Sequence, residues 1–329
     1  MIALFLKCLF AFILVLPLLL PAIFYLHAQN PGKTIHMPFS DSTNSPKRFF
    51  ILGDVGTGDK KQYEVAAAME ERCLSLEKKP DGILLLGDNF YQDGVPSLSD
   101  NRWQNMIFTP YGTPCLKDIP LFPALGNHDY KGNIKAQISM SKREKRWLMP
   151  HRFYSFSFSD LIHFSVLDTN KMDLCFSKER CTIDFLLDRL AHKEKYKWQV
   201  VLGHHPILNS SEKYQNPMLV AANLRSLALG YLLCHKADAY ISGHVHLLEH
   251  IKDKECGLTH IISGGGGASL YDLKKPSSRE GFAAKTHGFV DLTASKSALL
   301  FVFVNEKNQV IYEYKKEKKA AAKLTLRKS

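Results

Sequence analysis

The 329-residue sequence contains no C-x-x-C pair, so a cysteine zinc site has no support. It has no internal repeat either, which excludes a repeat architecture. Low-complexity sequence is confined to a Lys- and Ala-rich end. The rest is 45% hydrophobic and 11% aromatic over the whole chain, enough to bury a core in one large domain or two modest ones and too apolar for disorder to dominate. Acidic residues are in deficit, 32 against 43 Lys and Arg, for a net charge of +11 and a pI near 9.2. That excess is unevenly placed, because residues 315–329 carry seven Lys or Arg and one Glu, which is +6 of the total. The body is only mildly basic. Such a field favours phosphate-bearing substrates, and nothing in it requires nucleic acid.

The N-terminus runs nineteen residues without a charge, from Cys8 to Leu26, behind Lys7 and the free amino group. This predicts an export signal cleaved after Ala28 or a signal anchor that stays in a membrane, with Pro17 and Pro21 bending any helix there. Either reading puts the following domain outside the cytoplasm. Residues 1–28 are thus a signal peptide or anchor, 29–46 a linker, 47–314 the catalytic domain and 315–329 a basic, solvated tail. Six cysteines remain beyond Cys8, an even number that allows three disulfides. Cys175 and Cys181 form the nearest local pair, and Cys234 in its apolar run reads as a small buried residue.

From Lys47 onward short apolar runs alternate with longer amphipathic ones. Strands are expected at Phe49–Leu52, Ile83–Leu86, Leu121–Leu125, Phe164–Leu167, Val200–Leu202 and Ala239–Ile241. Helices are expected over Lys60–Lys78, Thr182–Glu194 and Pro217–Leu233. The last segments, Phe289–Leu292, Ala298–Val304 and Val310–Tyr314, read as antiparallel strands with a turn at Asn305–Asn308. The fold class is therefore α/β, a layered sandwich ending in antiparallel strands.

Five of the strands end in glycine followed at once by a polar side chain: Gly53-Asp54-Val55-Gly56, Gly87-Asp88-Asn89-Phe90-Tyr91, Gly126-Asn127-His128-Asp129, Gly203-His204-His205-Pro206 and Gly243-His244-Val245-His246. Open α/β sheets bind ligands beyond the carboxyl ends of their strands, so these five ends can converge on one crevice. Singly, each is an ordinary turn, cap or loop histidine. Jointly, Asp54, Asp88, Tyr91, Asn127, His204, His244 and His246 make the ligand inventory of a dinuclear metal centre.

This series of motifs resembles the calcineurin-like metallophosphoesterases. The tyrosine of GDNFY resembles the purple acid phosphatase branch, and the chain length resembles its small, tartrate-resistant type. The resemblance covers most of Lys47 to Tyr314. It implies an α/β/β/α sandwich with mixed sheets and a dinuclear acid phosphatase, a hydrolase of phosphate monoesters acting by attack of metal-bound hydroxide. It also implies two ions, Fe(III) held by Asp54, Tyr91 and His246, and Fe(II), Zn(II) or Mn(II) held by Asn127, His204 and His244. Asp88 bridges them. Hard phenolate and carboxylate oxygens suit the ferric ion, and amide and imidazole suit the divalent one. Substrates would be small phosphate monoesters or phosphoproteins, with membrane attachment through the N-terminal segment as a further possibility. A phosphodiesterase or nucleotidase on the same centre, and a non-catalytic exported binding protein, are the competing readings.

His128, beside Asn127, is the expected proton donor to the leaving group. The family commonly carries another substrate-side histidine after the GHHP motif, but between His205 and His235 this sequence has none, and Glu212 and Lys213 stand in that stretch. His205 is the candidate replacement. Asp129 is expected to orient its neighbours rather than to react. The run Gly264–Gly267 reads as a flexible loop bordering the site, since no Lys-Ser/Thr partner accompanies it to make a phosphate cradle.

Overall fold

The structure, a computed structural model, describes residues 36–39, 45–172, 181–214, 220–253, 255–274 and 281–318. An eight-stranded sheet contains His36–Phe39 (β1), Tyr154–Phe158 (β5), Ile162–Val166 (β6), Trp198–Leu202 (β7), Ala239–Ser242 (β8), Leu248–Lys252 (β9), Thr259–Ser263 (β10) and Gly281–Ala284 (β11). Its order is β1-β5-β6-β7-β8-β10-β9-β11. A six-stranded sheet contains Lys47–Leu52 (β2), Gly82–Leu85 (β3), Leu121–Pro123 (β4), Gly288–Ala294 (β12), Ala298–Asn305 (β13) and Val310–Glu317 (β14), in the order β14-β13-β12-β2-β3-β4. Both sheets are mixed. Strands β2, β3 and β4 run parallel, as do β6, β7 and β8, while β12, β13 and β14 are antiparallel.

The two sheets meet through aromatic side chains. Phe122 stacks on Phe156 at 4.0 Å between ring centres, and Phe49 lies 4.8 Å from Phe164 and 5.1 Å from Phe158. These rings are close to fully buried, so each contributes about 2–3 kcal/mol of burial to the docking of one sheet on the other.

Helices cover the outer faces. Lys60–Leu74 (α1) starts where the Asp59 carboxylate accepts the free N–H groups of Lys61 and Gln62, and it buries Val65 and Met69. Its end is fixed by Arg72, which pairs with Asp291 of β12 at 3.0 Å, and by a Cys73–Cys115 disulfide. Ile134–Met140 (α2) follows β4. Thr182–Ala191 (α3) and Val220–Leu233 (α4) lie on the eight-stranded sheet, where Phe185, Leu186, Leu229 and Leu233 share a buried cluster with Leu167, Val201 and Tyr240. The expected α/β/β/α layering is the observed one.

Differences are local. Helix α1 stops at Leu74, four residues short of the expected end, with the Ser75 hydroxyl donating to the Arg72 carbonyl. The stretch expected as linker contributes the edge strand β1. Strands β9, β10 and β11 were not expected, because Leu248–Lys252 mixes Glu249, His250 and Lys252 among its apolar residues, Thr259–Ser263 has only Ile261 and Ile262 as an apolar run, and Gly281–Ala284 is short. Of the cysteines, Cys181 is also disulfide-bonded, and Cys175 lies outside the described residues. Cys234 and Cys256 are free thiols, so the three disulfides the count allows are not all formed. Cys234 is half-buried rather than buried.

Candidate metal centre

Beyond the carboxyl ends of β2, β3 and β4 lie Asp54, Asp88 with Tyr91, and Asn127. Beyond β7 and β8 lie His204, and His244 with His246. The structure brings all seven together in two groups that share Asp88. In one, the Tyr91 hydroxyl sits 3.1 Å from Asp54 Oδ1, 3.0 Å from Asp88 Oδ2 and 3.1 Å from His246 Nε2. In the other, His204 Nε2 is 3.4 Å from Asp88 Oδ2, 3.1 Å from Asn127 Oδ1 and 3.1 Å from His244 Nδ1.

The ring protons of two histidines point away from this cluster. His204 Nδ1 lies 2.8 Å from the Leu86 carbonyl and His246 Nδ1 lies 2.7 Å from the Ser269 carbonyl. A carbonyl only accepts, so each Nδ1 carries a proton and each Nε2 faces the cluster. The Tyr91 hydroxyl has one proton for two carboxylates. The centre therefore gathers more acceptors than protons, an arrangement that repels itself unless a cation lies among them. The donor set fits metal ions: carboxylate and phenol oxygen on the Asp54 side, amide oxygen and imidazole nitrogen on the His204 side.

Local backbone explains how the side chains reach one point. Asp54, Asp88 and His244 all adopt left-handed conformations, with φ of 60°, 52° and 65°, which turn each side chain back over its strand end. The amide N–H of His244 donates to Asp54 Oδ2 at 2.8 Å and that of His128 donates to Asp88 Oδ1 at 2.8 Å. Each acid thus keeps its other oxygen for the centre. Glycine is required beside them, since a Cβ on Gly126 would meet Asp88 Oδ1 at 2.1 Å.

Electrostatics reflects the surplus of acceptors. Burial opposes charge on His204, yet the Asp88 and Asp54 carboxylates push its pKa up to about 9, so its Nε2 holds a proton that a bound metal ion would displace. Burial opposes charge on Asp88 too, but His204 and the His128 amide hold it well below the usual carboxylate range. Tyr91 moves the other way. Burial and the two carboxylates hold its phenol far above the ordinary tyrosine value, so it ionises only when positive charge is placed beside it.

The remaining candidates divide by exposure. His128 is half-exposed at the mouth, 4.4 Å from the Tyr91 ring, with Nδ1 2.6 Å from the Gln92 carbonyl. His205 is buried 4.5 Å from the His244 ring, and its Nδ1 lies 2.8 Å from the Thr169 hydroxyl. Burial first, then His204 and His244, push its pKa far down and keep it neutral. Asp129 is fully buried and accepts N–H groups from Gly126 at 2.7 Å, Gln137 at 2.9 Å and Asn89 at 3.1 Å, which fixes the loop bearing Asn127 and His128. The run Gly264–Gly267 is not a mobile rim. It is buried against the strand ends, with Gly264 N–H donating to Leu247, Gly266 N–H to Gly53 and Gly288 N–H to Gly265.

Several residues at the site escape sequence reasoning. Tyr271 stacks on His246 at 4.1 Å, Tyr214 lies 4.7 Å from the His244 ring, and Lys213 donates to the Tyr271 hydroxyl at 2.7 Å. The loops carrying them are joined by the Ser211–Leu273 bridge. Of this aromatic wall, Tyr214 and Lys213 lie in the stretch where the missing histidine was sought. Nothing in the local sequence marks Tyr214 or Tyr271, because a tyrosine in a loop has no periodicity to read.

Residues 47–248 match the calcineurin-like phosphoesterase family, and the chain belongs to it. Its relatives narrow the branch to the purple acid phosphatases. It is 32% identical over 242 residues to tartrate-resistant acid phosphatase type 5 of Mus musculus, covering 67% of this chain and 72% of the relative. It is 29% identical over 304 residues to purple acid phosphatase 3 of Arabidopsis thaliana, covering 85% and 80%. Among solved structures, GAP50, described as the anchor in the inner membrane complex of Plasmodium, matches with a TM-score of 0.67 at 27% identity, over 84% of this chain and 90% of that one.

Proposed function

We propose that the chain is an exported acid phosphatase that hydrolyses phosphate monoesters at a centre of two metal ions. One observation carries this: metal-binding atoms of seven side chains converge in two groups around Asp88, with Nδ1 of His204 and of His246 turned outward to backbone carbonyls. Asp54, Tyr91 and His246 would hold a ferric ion, and Asn127, His204 and His244 an Fe(II), Zn(II) or Mn(II) ion, with Asp88 between them. When bound, such ions attract phosphate oxygens and make water a nucleophile at low pH. The chain's own residues do the rest. His128, oriented through Nδ1, presents Nε2 at the open side and, once protonated, hands a proton to the leaving oxygen. His205, held neutral and fixed by Thr169, orients the imidazoles beside it and offers a hydrogen bond rather than a charge.

Export is supported by the Cys73–Cys115 disulfide, which suits an oxidising compartment. Among the described residues no helix is long and apolar enough to cross a membrane, and the Cys8–Leu26 run lies outside them. The test is metal analysis of the purified protein beside assays on an aryl phosphate monoester and the matching diester. Two ions per chain with preference for the monoester supports the reading. Preference for the diester replaces it with a phosphodiesterase, and absence of bound metal with a binding protein.

A further inference from the structure

Helix α4 is apolar on both faces. Its inner face buries Leu229, Leu232 and Leu233 in the core. Its outer face exposes Leu224, Leu227, Ala228 and Tyr231, spaced i, i+3, i+4 and i+7 so that they form one stripe. The three large side chains are 62%, 71% and 69% exposed, where a soluble helix normally places charge.

The chain leaving α4 lines, through His235 and Lys236, a basin of about 510 Å³ that also carries Lys193, Lys195, Lys197 and Lys318. Asp160, Glu194 and Asp238 lie in it too, and Asp238 is paired with Lys318 at 2.6 Å, so the basin is positive on balance. An apolar stripe, a tyrosine at its lower end and a basic basin at the end of the same helix match one kind of partner. Acyl chains take the leucines, the interfacial layer takes the tyrosine ring, and lipid phosphates take the lysines.

We propose that the α4 face docks on an anionic lipid surface, with Leu224, Leu227 and Tyr231 entering the headgroup layer and the lysine basin over the phosphates. The inner side of α4 backs the centre, since Arg225 donates to the Thr169 carbonyl at 3.1 Å and the Ser226 hydroxyl donates to the Pro206 carbonyl at 3.2 Å. Docking there sets the crevice beside the lipid surface.

The test uses Tyr231→Trp in the full chain. The native tryptophans, Trp103, Trp147 and Trp198, are all buried, so the new indole alone is exposed. Its emission should be quenched by brominated lipid in vesicles containing phosphatidylserine, about tenfold less in pure phosphatidylcholine, and should recover in high salt as the charges are screened. Adding Leu224→Gln and Leu227→Gln should weaken binding by roughly tenfold with an unchanged circular dichroism spectrum. Quenching equal in both vesicles, or none in either, overturns the proposal. Light scattering that shows a dimer split by the same substitutions assigns the stripe to a second copy and overturns it too. The readout is local to position 231, so insertion of the N-terminal segment does not imitate it.

Discussion

The six-stranded sheet supplies oxygen to the centre and the eight-stranded sheet supplies nitrogen. Asp54, Asp88, Tyr91 and Asn127 follow β2, β3 and β4, while His204, His244 and His246 follow β7 and β8. The halves approach to 3.4 Å at His204 and Asp88 and to 3.3 Å at His246 and Asp54. Neither sheet alone gathers the seven residues, so the cluster exists only where the sandwich is docked. Bound metal should therefore stabilise the packing of one sheet on the other, as any ligand of the native state does.

The largest expected effect comes from breaking the shared point. Asp88→Ala should lose both ions and activity by about 10³-fold or more, whereas His244→Ala, cutting only the nitrogen half, should keep iron on the Asp54 side. Metal analysis decides, and equal loss from both variants would dissolve the distinction between halves. Next, His128→Ala should keep both ions and lose about 10²-fold on alkyl phosphates but far less on activated aryl phosphates. Equal losses on the two would make His128 a binding residue. Tyr91→Phe should retain activity to within about tenfold and lose or shift the visible band expected of a ferric phenolate. A colourless but active iron-loaded wild type would remove the ferric phenolate from the oxygen half.

The smallest effect contrasts two settings for histidine within the eight-stranded sheet. His204 is raised by nearby acids, but His163, bonded to Gln199 at 2.8 Å, is lowered by burial to about 3. The unfolded chain binds this proton near pH 6.5 and the folded chain does not, so stability present at neutral pH is lost as pH falls from 6.5 toward 3. The loss is about 2 kcal/mol between pH 7 and 5. Thermal melts of His163→Asn should show a smaller drop across that interval than wild type, and an identical drop would mean that His163 is protonated in the folded state.

What was legible in the sequence was whatever repeats a rule. Buried parallel strands read as apolar runs, and five such runs ending in glycine and a polar residue announced the seven residues that converge. The shape of the surrounding wall was not legible. Tyr214 and Tyr271 reach the histidines because two loops pair at Ser211 and Leu273, a long-range contact with no local signature. Thr169 reaches His205 across 36 positions for the same reason. Strand β9 hid because Glu249 and His250 are buried polar residues, which composition assigns to the surface. Gly264–Gly267 misled in the opposite sense, since glycine serves close packing there rather than mobility.

The left-handed backbone at Asp54, Asp88 and His244 makes the cluster a cost to the fold. Such a conformation costs a residue bearing a Cβ about 1–2 kcal/mol, somewhat less for aspartate, and glycine escapes the cost. Exchanging Asp54, Asp88 or His244 for glycine should therefore relieve that cost while taking the side chain out of the cluster.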